Sequence, residues 1–100
     1  MAKEVILTPV AIANYEDIIE YIVTNWGLKV TNDFIERFEH VCELLAENPG
    51  IYPFISKVKK AQKCVLTTQN TLYFKETEDS IKILVIFDTR QNPETLANLI

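Results

Sequence analysis

The sequence predicts an α+β fold of two layers, in which a helix hairpin packs on a mainly antiparallel sheet in the order β-α-α-β-β-β. Three observations predict it. Apolar residues recur at steps of three and four through the first half of the chain, which is typical of amphipathic helices. From Gln62 onward the period changes to two, as in half-buried strands. Two helical runs followed by a run of strands favour segregated layers over a parallel, doubly wound sheet.

The size and composition predict one folded domain. The chain has 100 residues, of which 48% are apolar, so residues 1–100 are expected to share a single core. No stretch approaches the roughly 18 apolar residues of a membrane span. The N-terminus lacks the long apolar segment of a signal peptide. We therefore expect a cytoplasmic protein with no membrane contact.

The first half of the chain predicts a short strand and a helix. Lys3 to Leu7 has a strand-like apolar run, Thr8 is suited to cap a helix, and Pro9 fits the first helical position. Gly27 is expected to end this helix. The predicted buried face repeats at helical spacing and consists of Ala11, Tyr15, Ile18, Ile22 and Trp26.

A second helix is predicted directly after Gly27, and Asn48-Pro49-Gly50 is expected to stop it. So short a connection implies an antiparallel helix pair. The predicted buried face of the second helix consists of Val30, Phe34, Phe38, Val41 and Leu45.

The second half of the chain predicts a loop and three strands. Residues 51–61 are predicted to form a loop. The strand that follows is predicted to start at Gln62, and its side chains alternate between the two faces of the sheet through Thr68. Gln69-Asn70 and Glu78-Asp79-Ser80 are expected to form turns on either side of a strand around Leu72 and Phe74. The nearly continuous apolar run at residues 81–87 is typical of a central strand.

Motifs for metal, cofactor and nucleophile chemistry are not found. Gly27 and Gly50 are the only glycines, which excludes a glycine-rich phosphate loop. His40 and Cys42 lie two positions apart, so they do not share a helix face. We expect His40 on the surface and Cys42 and Cys64 as small buried apolar residues. No cofactor and no metal site are predicted.

Basic residues are concentrated in the second half of the chain. The net charge is −4, yet residues 16–47 hold eight acidic and two basic side chains while residues 51–100 hold seven basic and five acidic ones. Overall acidity argues against broad nucleic-acid binding but not against a local basic site. The candidate binding residues are Lys57, Lys59, Lys60, Lys63 and Arg90.

Lys63 and Arg90 are both predicted at strand ends, so they are expected to converge on one edge of the sheet. A cluster of this kind binds phosphates or carboxylates. An arginine there can also stabilise charge in a phosphoryl-transfer transition state, so Arg90 and Lys63 are the candidate catalytic pair. The alternative interpretation is a solvated lysine loop.

The ordered set of motifs resembles the RelE/ParE superfamily of bacterial toxins from type II toxin–antitoxin systems, also called plasmid-stabilisation proteins. The end of the chain is similar to a ParE-like branch of that family. The resemblance covers nearly the full length and rests on Val5-Ile6-Leu7-Thr8-Pro9 with Ala11 and Ala13, Tyr21-Ile22, Trp26-Gly27, Asn48-Pro49, Leu72-Tyr73-Phe74, and residues 83–87 running into Asp88-Thr89-Arg90-Gln91-Asn92-Pro93.

The resemblance implies that the first strand lies beside the last one and that a small antitoxin neutralises the toxin. It also implies one of two modes of growth inhibition, cleavage of ribosome-bound mRNA without a metal or action on DNA gyrase. Three features depart from the nuclease branch. No Tyr or His follows Arg90, and Gln62-Lys63 stands where an arginine is usual. The net charge of −4 is also unusual for a protein that acts among ribosomal phosphates.

Three hypotheses follow. In the first, the protein is a ParE-like toxin that binds DNA gyrase. In the second, it is a RelE-type mRNA endonuclease that uses Arg90, Lys63 and one of the lysines of the preceding loop. In the third, it is a decayed toxin or a non-toxic interaction module. Whether the chain forms a homodimer stays open.

Overall fold

The structure, a computed structural model, describes residues 2–89 and residue 96. Two helices pack on a five-stranded sheet with the strand order β1-β5-β4-β3-β2. β1 runs parallel to β5, and the other neighbouring strands are antiparallel. This confirms the predicted α+β class and the expected place of the first strand beside the last. The elements are β1 (Glu4–Leu7), α1 (Pro9–Trp26), α2 (Leu28–Glu47), a 3₁₀ turn (Pro49–Ile51), β2 (Phe54–Ser56), β3 (Ala61–Val65), β4 (Asn70–Glu76) and β5 (Ser80–Asp88).

The predicted helix ends are confirmed. The Thr8 side chain accepts a hydrogen bond from the Ala11 N–H at 3.1 Å, and Pro9 occupies the first helical position. Thr8 also connects the start of α1 to β5, because its hydroxyl donates a hydrogen bond to the Leu84 carbonyl at 2.8 Å. Gly27 separates the helices at φ 88°, a left-handed conformation that glycine adopts without steric cost.

The predicted loop at residues 51–61 is wrong in one part, because it contains the short strand β2. Phe54 is the Cα partner of Gln62, and Ser56 is the partner of Ala61. Because β2 pairs with β3, strand β3 begins at Ala61, one residue earlier than predicted. A segment of three residues has too short an apolar pattern to be recognised as a strand in the sequence.

The main core lies between the helices and one side of the sheet, which we call the inner face. Tyr15 of α1 stacks in tilted geometry on Phe38 and Phe34 of α2, with ring centroids 4.7 and 6.1 Å away. Phe74 of β4 meets Tyr52 edge-on at 5.8 Å. The residues buried in this core include Ala11, Phe34, Phe38, Val41, Leu45, Cys64, Leu66, Leu72, Phe74, Ile81, Ile83 and Ile86.

The opposite side of the sheet, the outer face, has a smaller apolar cluster. Tyr73, Val85 and Phe87 are buried there, and Leu84 and Leu96 pack against them. Leu84 has no Cα partner in β4, since Tyr73 pairs with Val85 and Phe74 with Ile83, so the ladder contains a β-bulge at this point. Neither helix of the described residues is long and apolar enough to cross a lipid bilayer.

Candidate functional site

The predicted lysine cluster begins in the turn that joins β2 to β3. Lys57, Lys59 and Lys60 are exposed, and Lys60 has φ 57°, a conformation that is uncommon for a residue with a side chain. The turn is held by a hydrogen bond from the Lys59 N–H to Ser56 Oγ at 3.2 Å. The turn therefore presents three cations outward at the end of the sheet.

Lys63 lies in the middle of β3, so the predicted position at a strand end is wrong. It alternates with the buried residues Gln62 and Cys64, which places its side chain on the outer face. Its Cα partner is Tyr73, which in turn pairs with Val85. Arg90 falls outside the described residues, so the predicted convergence of Lys63 with Arg90 stays a prediction.

Two further lysines on the outer face, Lys75 and Lys82, were missed by the sequence analysis. They are direct Cα partners across β4 and β5. Like charges directly opposite each other destabilise a sheet. The ion pairs of the described residues, Lys3–Glu76 and Lys29–Asp33, involve neither lysine. The alternating pattern of each strand places both lysines on one face, but only the strand register makes them neighbours.

The outer face thus combines an apolar centre with a basic side. Burial raises the pKa of the Tyr73 hydroxyl above its ordinary range, so this side chain is a neutral phenol at physiological pH. Lys63, Lys75 and Lys82 supply the positive charge. A surface of this kind can hold an anionic or amphipathic partner.

Gln62, which stands where the resemblance expects an arginine, is part of the fold. It is 1% exposed, and its amide donates to the Pro49 carbonyl at 2.8 Å and to the Tyr52 carbonyl at 3.1 Å. These two bonds fasten the segment after α2 to β3. Its position on the inner face keeps it away from the basic surface.

A second candidate surface is an apolar groove at the tip of the helix hairpin, which we call the tip groove. It has a volume of about 460 Å³ and lies between the two helices and the turn from β3 to β4. The residues that characterise it are Tyr21, Trp26, Val30, Phe34 and Arg37.

Trp26 and Val30 were predicted in the core, and the structure corrects both. Trp26 is 65% exposed and Val30 is 42% exposed. Helical spacing predicts which residues share a face, but the last turn of α1 and the first turn of α2 extend past their partner layer. Burial on α2 begins at Thr31, whose hydroxyl donates to the Gly27 carbonyl at 2.8 Å.

Arg37 connects the tip groove to the sheet. Its Nε donates to the Leu66 carbonyl at 3.0 Å, which fixes the guanidinium beside the turn between β3 and β4. Tryptophan, tyrosine and arginine are the residue types most enriched at the energetic centres of protein interfaces. Arg37, Tyr21 and Trp26 occur together in this groove, which is therefore suited to bind a protein partner.

The thiols and the histidine do not form a reactive centre. Cys64 is buried, as predicted, whereas Cys42 is only half-buried. Burial raises the pKa of Cys42 to about 11, so its thiol is protonated at physiological pH. His40 is exposed on α2, as predicted. Among the described residues no group of His, Cys, Asp and Glu is placed to hold a metal ion.

The comparisons with known proteins agree with this architecture. The model of the ParE toxin of type II toxin–antitoxin systems, parDE, matches residues 5–93. Two curated relatives, both named Toxin ParE1 and from Mycobacterium tuberculosis strains CDC 1551 / Oshkosh and ATCC 25618 / H37Rv, are each 22% identical over 93 residues. That alignment covers 92% of this chain and 95% of each relative.

Solved structures share the fold. The chromosomal ParDE TA system from P. aeruginosa contains a chain with a TM-score of 0.74 and 16% identity, matched over 89% of this chain and 98% of that one. The YoeB dimer from Staphylococcus aureus gives a TM-score of 0.61 at 12% identity, covering 85% of this chain and 94% of that one. The YoeB/ParE toxin from Agrobacterium tumefaciens gives 0.60 at 8% identity, covering 85% and 97%. Because the family model spans most of the sequence, the chain belongs to the ParE toxins of type II toxin–antitoxin systems.

Proposed function

We propose that this member of the ParE toxin family inhibits bacterial growth in the cytoplasm by binding DNA gyrase, and that a cognate antitoxin neutralises it. The observation that carries the proposal is the match of the ParE toxin model to residues 5–93. The ParE-like last strand led to the same family from the sequence alone.

The side chains of the described residues favour inhibition by binding over inhibition by catalysis. The raised pKa of Cys42 makes its thiol a poor nucleophile at neutral pH, and His40 stands alone on the helix surface. The basic outer face and the tip groove are instead exposed surfaces that a protein partner could contact. A toxin that holds its target in an inactive form needs such surfaces and no general base.

The tip groove supports the antitoxin part of the proposal. Tyr21 is 41% exposed and Trp26 is 65% exposed. Exposed aromatic surface of this kind is unfavourable in a protein that has no partner to cover it. An amphipathic segment of the antitoxin would bury both rings and meet Arg37.

Two assays test the proposal. Adding the chain to purified gyrase should inhibit DNA supercoiling. Adding the antitoxin encoded by the neighbouring gene should restore it. Unchanged supercoiling, together with undamaged DNA in cells that express the chain, would contradict gyrase as the target. Growth at the normal rate without the antitoxin would favour the third hypothesis, a decayed toxin or a non-toxic interaction module.

A second candidate function is ribosome-dependent mRNA cleavage, which the outer face favours. Lys63, Lys75 and Lys82 give this face the charge that an RNA backbone requires. Arg90 would neutralise the scissile phosphate and Lys63 would assist proton transfer. Induction of the chain followed by primer extension tests it: cleavage that Arg90→Ala reduces steeply supports the endonuclease, whereas intact transcripts contradict it.

A further inference from the structure

Strand β2 ends the sheet and has an apolar edge. β3 is its neighbour on one side, and no strand of the described residues lies on the other. Phe54 is 50% exposed, Ile55 is 42% exposed, and Val58 in the following turn is 94% exposed. Proteins usually protect such edges with short strands and charges. β2 is short and followed by lysines, yet its large apolar side chains remain in water.

The backbone of β2 can pair with another strand. The Lys63 N–H donates to the Pro53 carbonyl at 3.0 Å, and Phe54 is the Cα partner of Gln62. In an antiparallel ladder this makes Phe54 and Gln62 a non-hydrogen-bonded pair. The N–H and C=O of Phe54 therefore point away from β3, toward the open side of the sheet, where they can bond to an added strand.

The charges beside β2 determine which kind of strand can be added to its open edge. Lys57, Lys59 and Lys60 are exposed, and no carboxylate of the described residues forms an ion pair with them. A second copy of the chain that paired through its own β2 would bring two sets of lysines together. A nucleic acid would gain the lysines but would leave the aliphatic side chains of Ile55 and Val58 without stacking partners.

We propose that β2 receives an extended segment of a protein partner, in which aliphatic and acidic side chains alternate, as a sixth strand of the sheet. The partner backbone bonds to Phe54, its aliphatic side chains cover Ile55 and Val58, and its carboxylates face the lysine turn. The site is separate from the tip groove, and it does not depend on gyrase being the target.

A peptide titration tests the inference. The probe is a capped nine-residue peptide that alternates valine and glutamate, added to the isotope-labelled chain. Amide shifts should appear first at Phe54 and Ile55, and the same peptide with lysine in place of glutamate should produce none. A third peptide with a central proline, which cannot extend a strand, should bind more weakly.

Charge reversal sharpens the test. The triple variant Lys57→Glu, Lys59→Glu and Lys60→Glu should bind the glutamate peptide about tenfold more weakly, since three surface charges contribute several tenths of a kcal/mol each. The same variant should gain binding of the lysine peptide. Lys29→Glu, which reverses a lysine that is 90% exposed on α2, is the matched control and should change neither affinity.

Val58→Ser tests peptide binding without disturbing the fold, because a side chain that is 94% exposed contributes little to the core. This variant should melt as the parent does but bind the glutamate peptide more weakly. Three outcomes overturn the inference: absence of shifts at Phe54 and Ile55 at millimolar peptide, equal binding of both peptides by the parent chain, or shifts of the same amides on protein concentration alone. The last outcome would assign β2 to a second copy of the chain.

Discussion

The inner and outer faces of the sheet both bury apolar side chains, but they differ in what surrounds them. On the inner face, Leu72, Phe74 and Ile83 are 0% exposed beneath two helices. On the outer face, the buried residues Tyr73 and Val85 lie among lysines. Lys75 and Lys82 oppose each other and form no ion pair with a carboxylate of the described residues, which costs stability. The inner face stabilises the fold, and the exposed surfaces carry the proposed binding sites.

The largest expected effect is on the inner face. Phe74→Ala removes a fully buried ring and its edge-on contact with Tyr52, and it should lower the free energy of unfolding by about 3–5 kcal/mol. Urea unfolding measures the loss. Val65→Ala, at a position that is 58% exposed on the outer face, should change it by less than about 0.5 kcal/mol. Similar losses for the two variants would contradict the contrast between the faces.

Trp26→Ala should lower the affinity for the antitoxin without lowering the stability of the fold. We expect the antitoxin to bind at least ~30-fold more weakly, since truncating a central interface tryptophan costs about 2 kcal/mol or more. The melting temperature should hardly change, because the side chain is 65% exposed. Calorimetric titration with the antitoxin measures the affinity. Leu28→Ala is the matched control, as Leu28 is 72% exposed but does not line the tip groove. Equal affinity losses would argue against the groove.

Gln62→Leu tests whether this residue belongs to the fold. The substitution removes the amide donor from the Pro49 and Tyr52 carbonyls, although the Pro49 carbonyl still accepts from the Tyr52 N–H at 3.3 Å, and it should lower the free energy of unfolding by about 2 kcal/mol. Chemical denaturation measures it, with Gln69→Leu at an exposed turn position as the control. An unchanged unfolding free energy would show that the two hydrogen bonds contribute nothing.

Alkaline pH should lower the stability of the inner face. Burial raises the pKa of Cys42 from 9.0 to about 11, so the folded chain holds a proton that the unfolded chain releases. Its contribution is complete below pH 9 and is lost as the pH rises to 11, at up to about 1.4 kcal/mol per pH unit. Burial raises the pKa of Tyr15 as well, which adds to the loss. Urea unfolding at several pH values measures the slope, which Cys42→Ala should flatten; an identical slope in that variant would contradict the assignment.

The smallest expected effect is a gain on the outer face. Lys75→Glu converts the like-charged pair with Lys82 into an opposite-charged pair and should raise the free energy of unfolding by up to about 1 kcal/mol. Thermal melts at low and high salt measure it, and salt should reduce the gain. Lys63→Glu is the control, because its partner across the strand is Tyr73. A decrease in stability would show that repulsion between the two lysines does not destabilise the sheet.

Much of the fold was predictable because its signals are local. Thr8 and Pro9 begin α1, Gly27 ends it, and the spacing of Phe34 and Phe38 marks the inner side of α2. Each depends on residues within one or two turns. β2 was missed, since three residues cannot establish a period of two.

The candidate site was less predictable, because it is formed by residues that are distant in the chain. The lysine turn was found as a cluster in the sequence, but Lys75 and Lys82 meet only through the register of β4 and β5. Lys63 was assigned to a strand end because the hairpin with β2 was not foreseen. The tip groove was missed because Trp26 and Val30 fit the apolar period of the helices.

The sequence by itself determined the order of elements, the ends of the helices, the side of each element that is apolar, and the ParE-like pattern. These depend on backbone geometry, which repeats every 3.6 or 2 residues whatever the rest of the chain does. Only the tertiary structure decided which apolar residues are covered. Trp26 and Phe34 have the same helical pattern, but the sheet and helices extend over Phe34 and end before Trp26, since burial requires a partner layer as well as a period.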